Sequence, residues 1–290
     1  MSFKQRVSTG LIFAGTMTGV ILISPLACAI LFVLITGLCL YEFTGLILIQ
    51  DGSPMINQSR RTLSITIGIS LPVAVLFNYL NGFYNWVDTT RDLAIPVALL
   101  LSSGLFLFEL FAKSKNPFSN IGFSFLGLFY IGLPFSLIIE LSLALPNQTG
   151  NLFILCILFM IWAGDTGAYI LGSKIGRTKM FPRISPKKTW EGTCSGALLA
   201  SSVGAGCNWI FTSIELELGQ WIILGIICAV FGVLGDLVES MLKRSLGIKD
   251  SANTLPGHGG FLDRFDSLIF VMPFIALALL LGGFNYSKFI

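Results

Sequence analysis

The sequence predicts an all-α fold, a polytopic transmembrane helical bundle of about nine helices, and three observations predict it. Hydrophobic residues make up 54% of the 290, and the mean hydropathy is +0.83, more apolar than a water-exposed surface allows. Apolar runs of roughly 20 residues recur along the chain, the length of a membrane-crossing helix, whereas a barrel would show alternating strands of roughly 10. The basic residues sort to one side once these runs are threaded back and forth. Backbone groups left unpaired in hydrocarbon are too costly for any other spanning structure, so the runs read as helices.

The first span, 8–24, follows Lys4 and Arg6. That start resembles a secretory signal with Ala27-Cys28-Ala29 as its cleavage site, but the apolar run continues past it into a second span, 26–48. An uncleaved anchor explains the pattern more simply. Pro25 separates the two spans so tightly that a kinked or re-entrant pair is the alternative. Arg60 and Arg61 precede the third span, 63–82; Arg91 precedes the fourth, 92–112; Lys113 and Lys115 lead to the fifth, 121–145. The sixth, 151–173, runs into a basic loop, and the seventh, 193–212, leaves it. The eighth, 220–239, enters the most polar stretch of the chain, and the ninth, 266–284, leaves that.

With the N-terminus cytoplasmic, 16 of the 18 Lys and Arg fall inside, only Arg91 and Lys288 fall outside, and Asp88, Asp92, Glu215 and Glu217 lie opposite. A count wrong by one crossing would scatter them. No polar stretch is long enough to bury its own core, so residues 1–290 read as one integral membrane domain. Residues 1–150 supply N-terminal helices, and 151–290 supply catalytic helices with cytoplasmic loops at 174–192 and 240–265. The six cysteines, at 28, 39, 156, 194, 207 and 228, lie in spans with no CxxC pair and read as small packing residues. A net charge of +3 is too small to indicate a nucleic-acid partner.

Ionisable residues inside a bilayer are costly and each needs a reason. Glu42, Glu109 and Glu140 have no polar neighbours in sequence and read as structural, with a partner on another helix or a place near the interface. Asp236, Glu239, Ser240 and Lys243 differ, because i, i+3, i+4 and i+7 put them on one helical face. This polar stripe runs into 240–266, SMLKRSLGIKDSANTLPGHGGFLDRFD, which carries Arg244, Lys249, Asp250, Asp263, Arg264, Asp266 and the single histidine, His258. Gly259 and Gly260 allow a close backbone approach, and Asp263 and Asp266 share one turn. Hard cations such as Mg²⁺ take oxygen ligands, usually one or two carboxylates completed by water and substrate phosphate, and Asp236 and Asp263 can supply such a site. Cations, carboxylates and glycines together suggest phosphate and metal chemistry.

A second loop, GSKIGRTKMFPRISPKKTWEG at 172–192, has six basic residues and one acidic. Charge alone would make it a topology determinant or a lipid-headgroup contact. Ser185, Lys187 and Lys188 beside Thr189 and Trp190 add hydroxyls, ammoniums and a ring able to grip a polyphosphate and stack on a base. Just before it, Asp165, Tyr169 and Gly172 at i, i+4 and i+7 make a further polar and small-residue face, which lines a pocket or packs closely.

At Ser240, Lys243-Arg244, Lys249-Asp250, Ala252, Leu255-Pro256, His258-Gly259-Gly260, Asp263-Arg264 and Asp266, the 240–266 stretch resembles the phosphatidate cytidylyltransferases, or CDP-diacylglycerol synthases. Residues 184–192 with Asp165, Ala168-Tyr169 and Gly172 also look like that family, so the resemblance covers roughly 160–285. It implies transfer of CMP from CTP to phosphatidic acid, giving CDP-diacylglycerol and pyrophosphate. It also implies Mg²⁺ as cofactor and admits a second cation such as K⁺. On this reading Asp236 and Asp263 hold metal. Lys187, Lys188, Lys243, Arg244 and Arg264 neutralise phosphate, with Lys249 in the same site. Ser185 and Ser240 donate hydrogen bonds, and Asp250 and Asp266 orient cations. Asp165, Gly259 and Gly260 complete the substrate site, and His258 serves loop geometry or a phosphate hydrogen bond.

Two other readings stay open on the residues alone. A CTP-dependent polyprenol kinase would share basic loops and membrane carboxylates but release CDP. A transporter would spread its polar residues toward both faces or show a repeat, whereas here they concentrate on one face. Short loops and no evident transit peptide suit a bacterial inner membrane, and small-residue helix faces leave room for a homodimer.

Overall fold

The computed structural model describes residues 3–49, 51–84, 89–145, 148–249, 251–252, 254 and 259–281. Its elements run α1 (Phe3–Ile23), α2 (Pro25–Ile47), α3 (Pro54–Tyr84), α4 (Thr89–Ala112), α5 (Pro117–Gly127), a π turn (Leu128–Gly132), α6 (Leu133–Ala144) and α7 (Thr149–Ile175). A hairpin of β1 (Lys179–Phe181) and β2 (Ser185–Thr189) follows, and then α8 (Trp190–Ile210), α9 (Leu218–Ser245) and α10 (Leu262–Leu281). Among the described residues, α5, the π turn and α6 form one rod, so the helices make nine rods in the order read from sequence. Six are long and apolar enough to cross a membrane: α2, most of α3, the α5–α6 rod, α7, α9 and α10. The protein is an all-α integral membrane bundle.

Local chemistry sets the joints. At the α1–α2 junction Pro25 takes the first helical position, where its missing N–H costs nothing, and the Ser24 hydroxyl caps α2 by accepting from the Ala27 amide at 3.0 Å. The result is two separate helices. In the α5–α6 rod, Pro134 cannot donate and its ring crowds the preceding turn. The chain widens there, so that the Leu133 amide reaches back five residues to the Leu128 carbonyl.

One hydrophobic core runs through both halves of the chain, from Met17 and Phe32 through Phe135, Phe153 and Trp221 to Met272 and Leu279. A small second cluster of Ile67, Leu105 and Ile121 ties α3, α4 and α5 together. Five of the cysteines are buried as packing residues; Cys194 is exposed. α8 is not among the six crossing helices, and it fits because its small residues admit close neighbours. A Cβ at Gly196 would stand 2.6 Å from the Gly164 carbonyl of α7, and one at Gly225 of α9 would stand 2.6 Å from the Ser201 Cα of α8.

Glu42 and Glu109 each find a partner on another helix, as expected. Glu109 meets Arg60 at 2.5 Å, both fully buried, and Arg60 also holds Asp51 at 3.2 Å and the Ile49 carbonyl at 2.7 Å. Donors from Ser114 and Lys115, with Arg60 beside it, hold the Asp51 carboxyl below its usual range. Glu140 is exposed near the end of α6.

Candidate functional site

The sequence predicts a loop over 174–192, whereas the structure makes its centre an antiparallel hairpin, with Lys179 paired to Thr189 and Phe181 to Ser185 around a bulge. The hairpin is fastened to the helix it leads into. Thr189 caps α8 through Gly192, and the Glu191 carboxylate accepts from the Thr178 and Arg177 amides at 3.0 and 3.2 Å. Its own backbone amide first, then the Thr178 hydroxyl, hold the Glu191 carboxyl down at about 2. The clasp therefore stays ionised. Anchored this way, β2 presents Lys188 inward while Lys187 and Trp190 are exposed and Ser185 is half-buried.

At the same end of the bundle a cavity of about 810 Å³ lies between α1, α7, α9 and α10. Its charged lining is Asp165 from α7, Asp236, Glu239 and Lys243 from α9, Lys249 from the segment after α9, and Asp263, Arg264 and Asp266 from α10, with Gly259 beside them. Apolar residues share the lining: Phe13, Ala14 and Met17 of α1, Leu158, Ile161 and Trp162 of α7, and Phe265 and Leu268 of α10. The shape suits a molecule with an anionic head and a greasy body.

The stripe on α9 engages two other elements, β2 and α10. Lys188 sets its ammonium 2.7 Å from Asp236 Oδ2 and donates to the Val233 carbonyl at 2.9 Å, so the hairpin reaches α9. Ser240 donates to Asp236 Oδ1 at 3.1 Å. Lys243 bridges Glu239 Oε2 at 2.5 Å and Asp263 Oδ1 at 2.6 Å, joining α9 to α10. Arg244 faces outward and donates to the Ile248 carbonyl at 2.9 Å, closing the end of α9.

Oxygens of Asp236, Glu239 and Asp266 lie within 4.8 Å of one another, with Glu239 and Asp266 buried. Glu239 Oε1 is buried and without a hydrogen-bond partner. Three carboxylate oxygens this close together, from a set in which one Glu239 oxygen is left unsatisfied, are a donor set a hard divalent cation takes, so these residues fit a metal. Asp263 sits across Lys243 from them. Its Oδ2 accepts from the Gly260 amide at 2.8 Å and from the Ser251 hydroxyl and amide at 3.0 and 3.1 Å.

Both glycines of the His-Gly-Gly run have a steric reason. Gly259 has φ +79°, and a Cβ there would stand 2.6 Å from Asp263 Oδ2. A Cβ on Gly260 would collide with Ser251 Oγ and with Glu42 Oε2. His258 and Asp250, named as site residues from the sequence, lie outside the described residues. Sequence reasoning missed the α1 lining and the reach of Glu42 into this region; an isolated carboxylate in α2 was the only signal.

The family profile described as "Cytidylyltransferase family" matches residues 4–281. The chain belongs to this cytidylyltransferase family. Among its curated relatives, the phosphatidate cytidylyltransferase of Bacillus subtilis is 32% identical over 281 residues, covering 97% of this chain and 99% of the relative. That of Staphylococcus saprophyticus is 38% identical over 196 residues, 68% of this chain and 72% of the relative, and that of Staphylococcus haemolyticus is 32% identical over 248 residues, 85% and 92%. The match to the cytidylyltransferases takes in the N-terminal helices too, whereas the motifs visible in the sequence covered only roughly 160–285.

Proposed function

We propose that this cytidylyltransferase moves CMP from CTP to phosphatidic acid, releasing CDP-diacylglycerol and pyrophosphate at the cytoplasmic face of a bacterial inner membrane. The observation that carries the reading is the mixed lining of the cavity: ammonium, guanidinium and carboxylate groups share it with apolar side chains at one end of a membrane bundle. The end in question is where the basic loops collect. CTP would enter from the cytoplasm, and the lipid would keep its tails in the bilayer.

In the transfer, a phosphate oxygen of phosphatidate forms a bond to the α-phosphorus of CTP, and the bond from that phosphorus to the β-phosphate bridging oxygen breaks. The attacking oxygen is already ionised, so no residue need remove a proton. Two anions must approach, and the chain's task is to neutralise and align them. Lys243, Arg264 and Lys249 line the cavity where the phosphates would meet, and Lys188 stands at its edge. Asp236, with Glu239 and Asp266 beside it and Asp263 across Lys243, would hold Mg²⁺; K⁺ is the proposed second cation. When bound, Mg²⁺ supplies charge neutralisation on the nucleotide phosphates. Asp165 faces the same space from α7.

The test is pyrophosphate release by the purified protein in detergent with CTP, Mg²⁺ and phosphatidic acid. Release that requires the lipid and tracks formation of CDP-diacylglycerol supports the reading. CDP as the nucleotide product would point to a kinase instead and overturn it.

A further inference from the structure

Glu42 is a buried carboxylate near the C-terminal end of the apolar helix α2, and all of its observed partners lie more than 200 residues away. Its Oε1 accepts from the Thr254 hydroxyl at 2.5 Å and from the Phe261 amide at 2.9 Å. Its Oε2 accepts from the Leu262 amide at 2.9 Å and from the Ser251 hydroxyl at 3.1 Å. The two amides open α10, where backbone donors have no partner within the helix and the dipole favours an anion. α2 thus supplies the acceptor for the two amides that open α10.

The next residue along α10 is Asp263. The Ser251 hydroxyl lies between the two carboxylates, 3.1 Å from Glu42 Oε2 and 3.0 Å from Asp263 Oδ2, and Asp263 in turn holds Lys243. A continuous polar chain therefore runs Glu42, Ser251, Asp263, Lys243, Glu239. Four donors fill the acceptor sites of the buried carboxylate, the Ser251 hydroxyl being shared with Asp263, and all four belong to the segment that carries the site. Gly260 fits the same purpose, because any side chain there would displace Glu42 and Ser251 together.

We propose that Glu42 is a positioning residue of the transferase site: from the N-terminal half of the chain it sets the start of α10 and, through Ser251, the carboxylate of Asp263. It touches no reacting atom. The inference rests on the reading of the chain as a CTP-dependent transferase, and its test separates the two.

Glu42→Gln keeps the shape but turns one acceptor into a donor facing donors. In detergent-purified protein, this variant is expected to lose kcat by up to about 10²-fold, the scale of a misplaced reacting group, with a much smaller change in KM for CTP. It is also expected to need more Mg²⁺ for half-maximal rate. Ser251→Ala, which removes only the bridging hydroxyl, should show the same pattern more weakly. Hydrogen exchange supplies a readout independent of turnover: the amides of Phe261 and Leu262 should exchange faster in Glu42→Gln than in the wild type. If Glu42→Gln does not fold, Ser251→Ala carries the kinetic test, and exchange at Gly260 and Asp263 carries the structural one. Unchanged exchange, or wild-type kcat and Mg²⁺ dependence in a folded variant, overturns the proposal. A wild type that transfers nothing would sink the transferase reading, and exchange alone would then decide whether Glu42 sets the start of α10.

Discussion

Lys188 Nζ lies 2.7 Å from Asp236 Oδ2, so a residue of the surface hairpin closes onto a carboxylate of the membrane cavity. The two are 48 positions apart, and nothing local to either announces the contact. Its consequence is that the hairpin and the α9 stripe form one electrostatic unit. An incoming phosphate or cation therefore meets a pair already balanced, and either can take over one partner.

Lys188→Met breaks that unit. Because the Asp236 side chain is 42% exposed, water compensates it and stability should change by no more than about 1 kcal/mol. The rate should suffer far more, since one donor aimed at developing charge is worth roughly 10²–10³ in kcat. Thermal unfolding beside pyrophosphate release checks both halves; a large loss of stability with normal turnover would reverse the assignment.

Metal binding can be read without substrate. A cation held by the folded state alone stabilises it by about 2.7 kcal/mol at a concentration 100-fold above its dissociation constant. Mg²⁺ should therefore raise the unfolding temperature of the wild type in detergent, and Asp236→Asn should abolish most of that rise. An equal rise in the variant would place the cation elsewhere.

The backbone at Gly259 gives a sharper case. Alanine there must adopt a left-handed conformation, costing about 1–2 kcal/mol, and its methyl group would press on Asp263 Oδ2. Gly259→Ala should fold and lose most of its activity. Gly206→Ala, at a helical glycine with open space around it, serves as control with normal turnover and stability. Parallel rate and melting measurements on the two variants check this.

The sequence carried the helical rods because bilayer thickness and backbone desolvation leave a single spanning solution for runs as apolar as 26–48 or 220–239. It carried the α9 stripe because helical spacing alone puts Asp236, Glu239, Ser240 and Lys243 together. Both signals are local. The hairpin at 179–189 escaped because its strands are three and five residues long and strongly basic, without the alternation that marks a strand. Nor could sequence place Phe13 and Met17 in the same cavity as the carboxylates, since an apolar residue in a membrane helix looks alike whether it faces lipid, core or substrate. Glu42 was visible as an anomaly, but its donors lie beyond any local pattern.

Glu109 supplies the contrast that tests this distinction between carboxylates. It too is buried and paired across helices, but neither it nor its partner Arg60, nor the surrounding Asp51, Asn57 and Ile49, lines the cavity. Glu109→Gln leaves the Arg60 guanidinium, 1% exposed, with only Asp51 as counter-charge. Removing one partner of a buried pair costs roughly 3–5 kcal/mol, and the remaining Asp51 should hold the loss near the lower end. The unfolding temperature should fall clearly, while the fraction that remains folded should turn over at the wild-type kcat with the same Mg²⁺ requirement. A drop in kcat at full folding would mean that the N-terminal network communicates with the cavity, and Glu109 would then belong with Glu42.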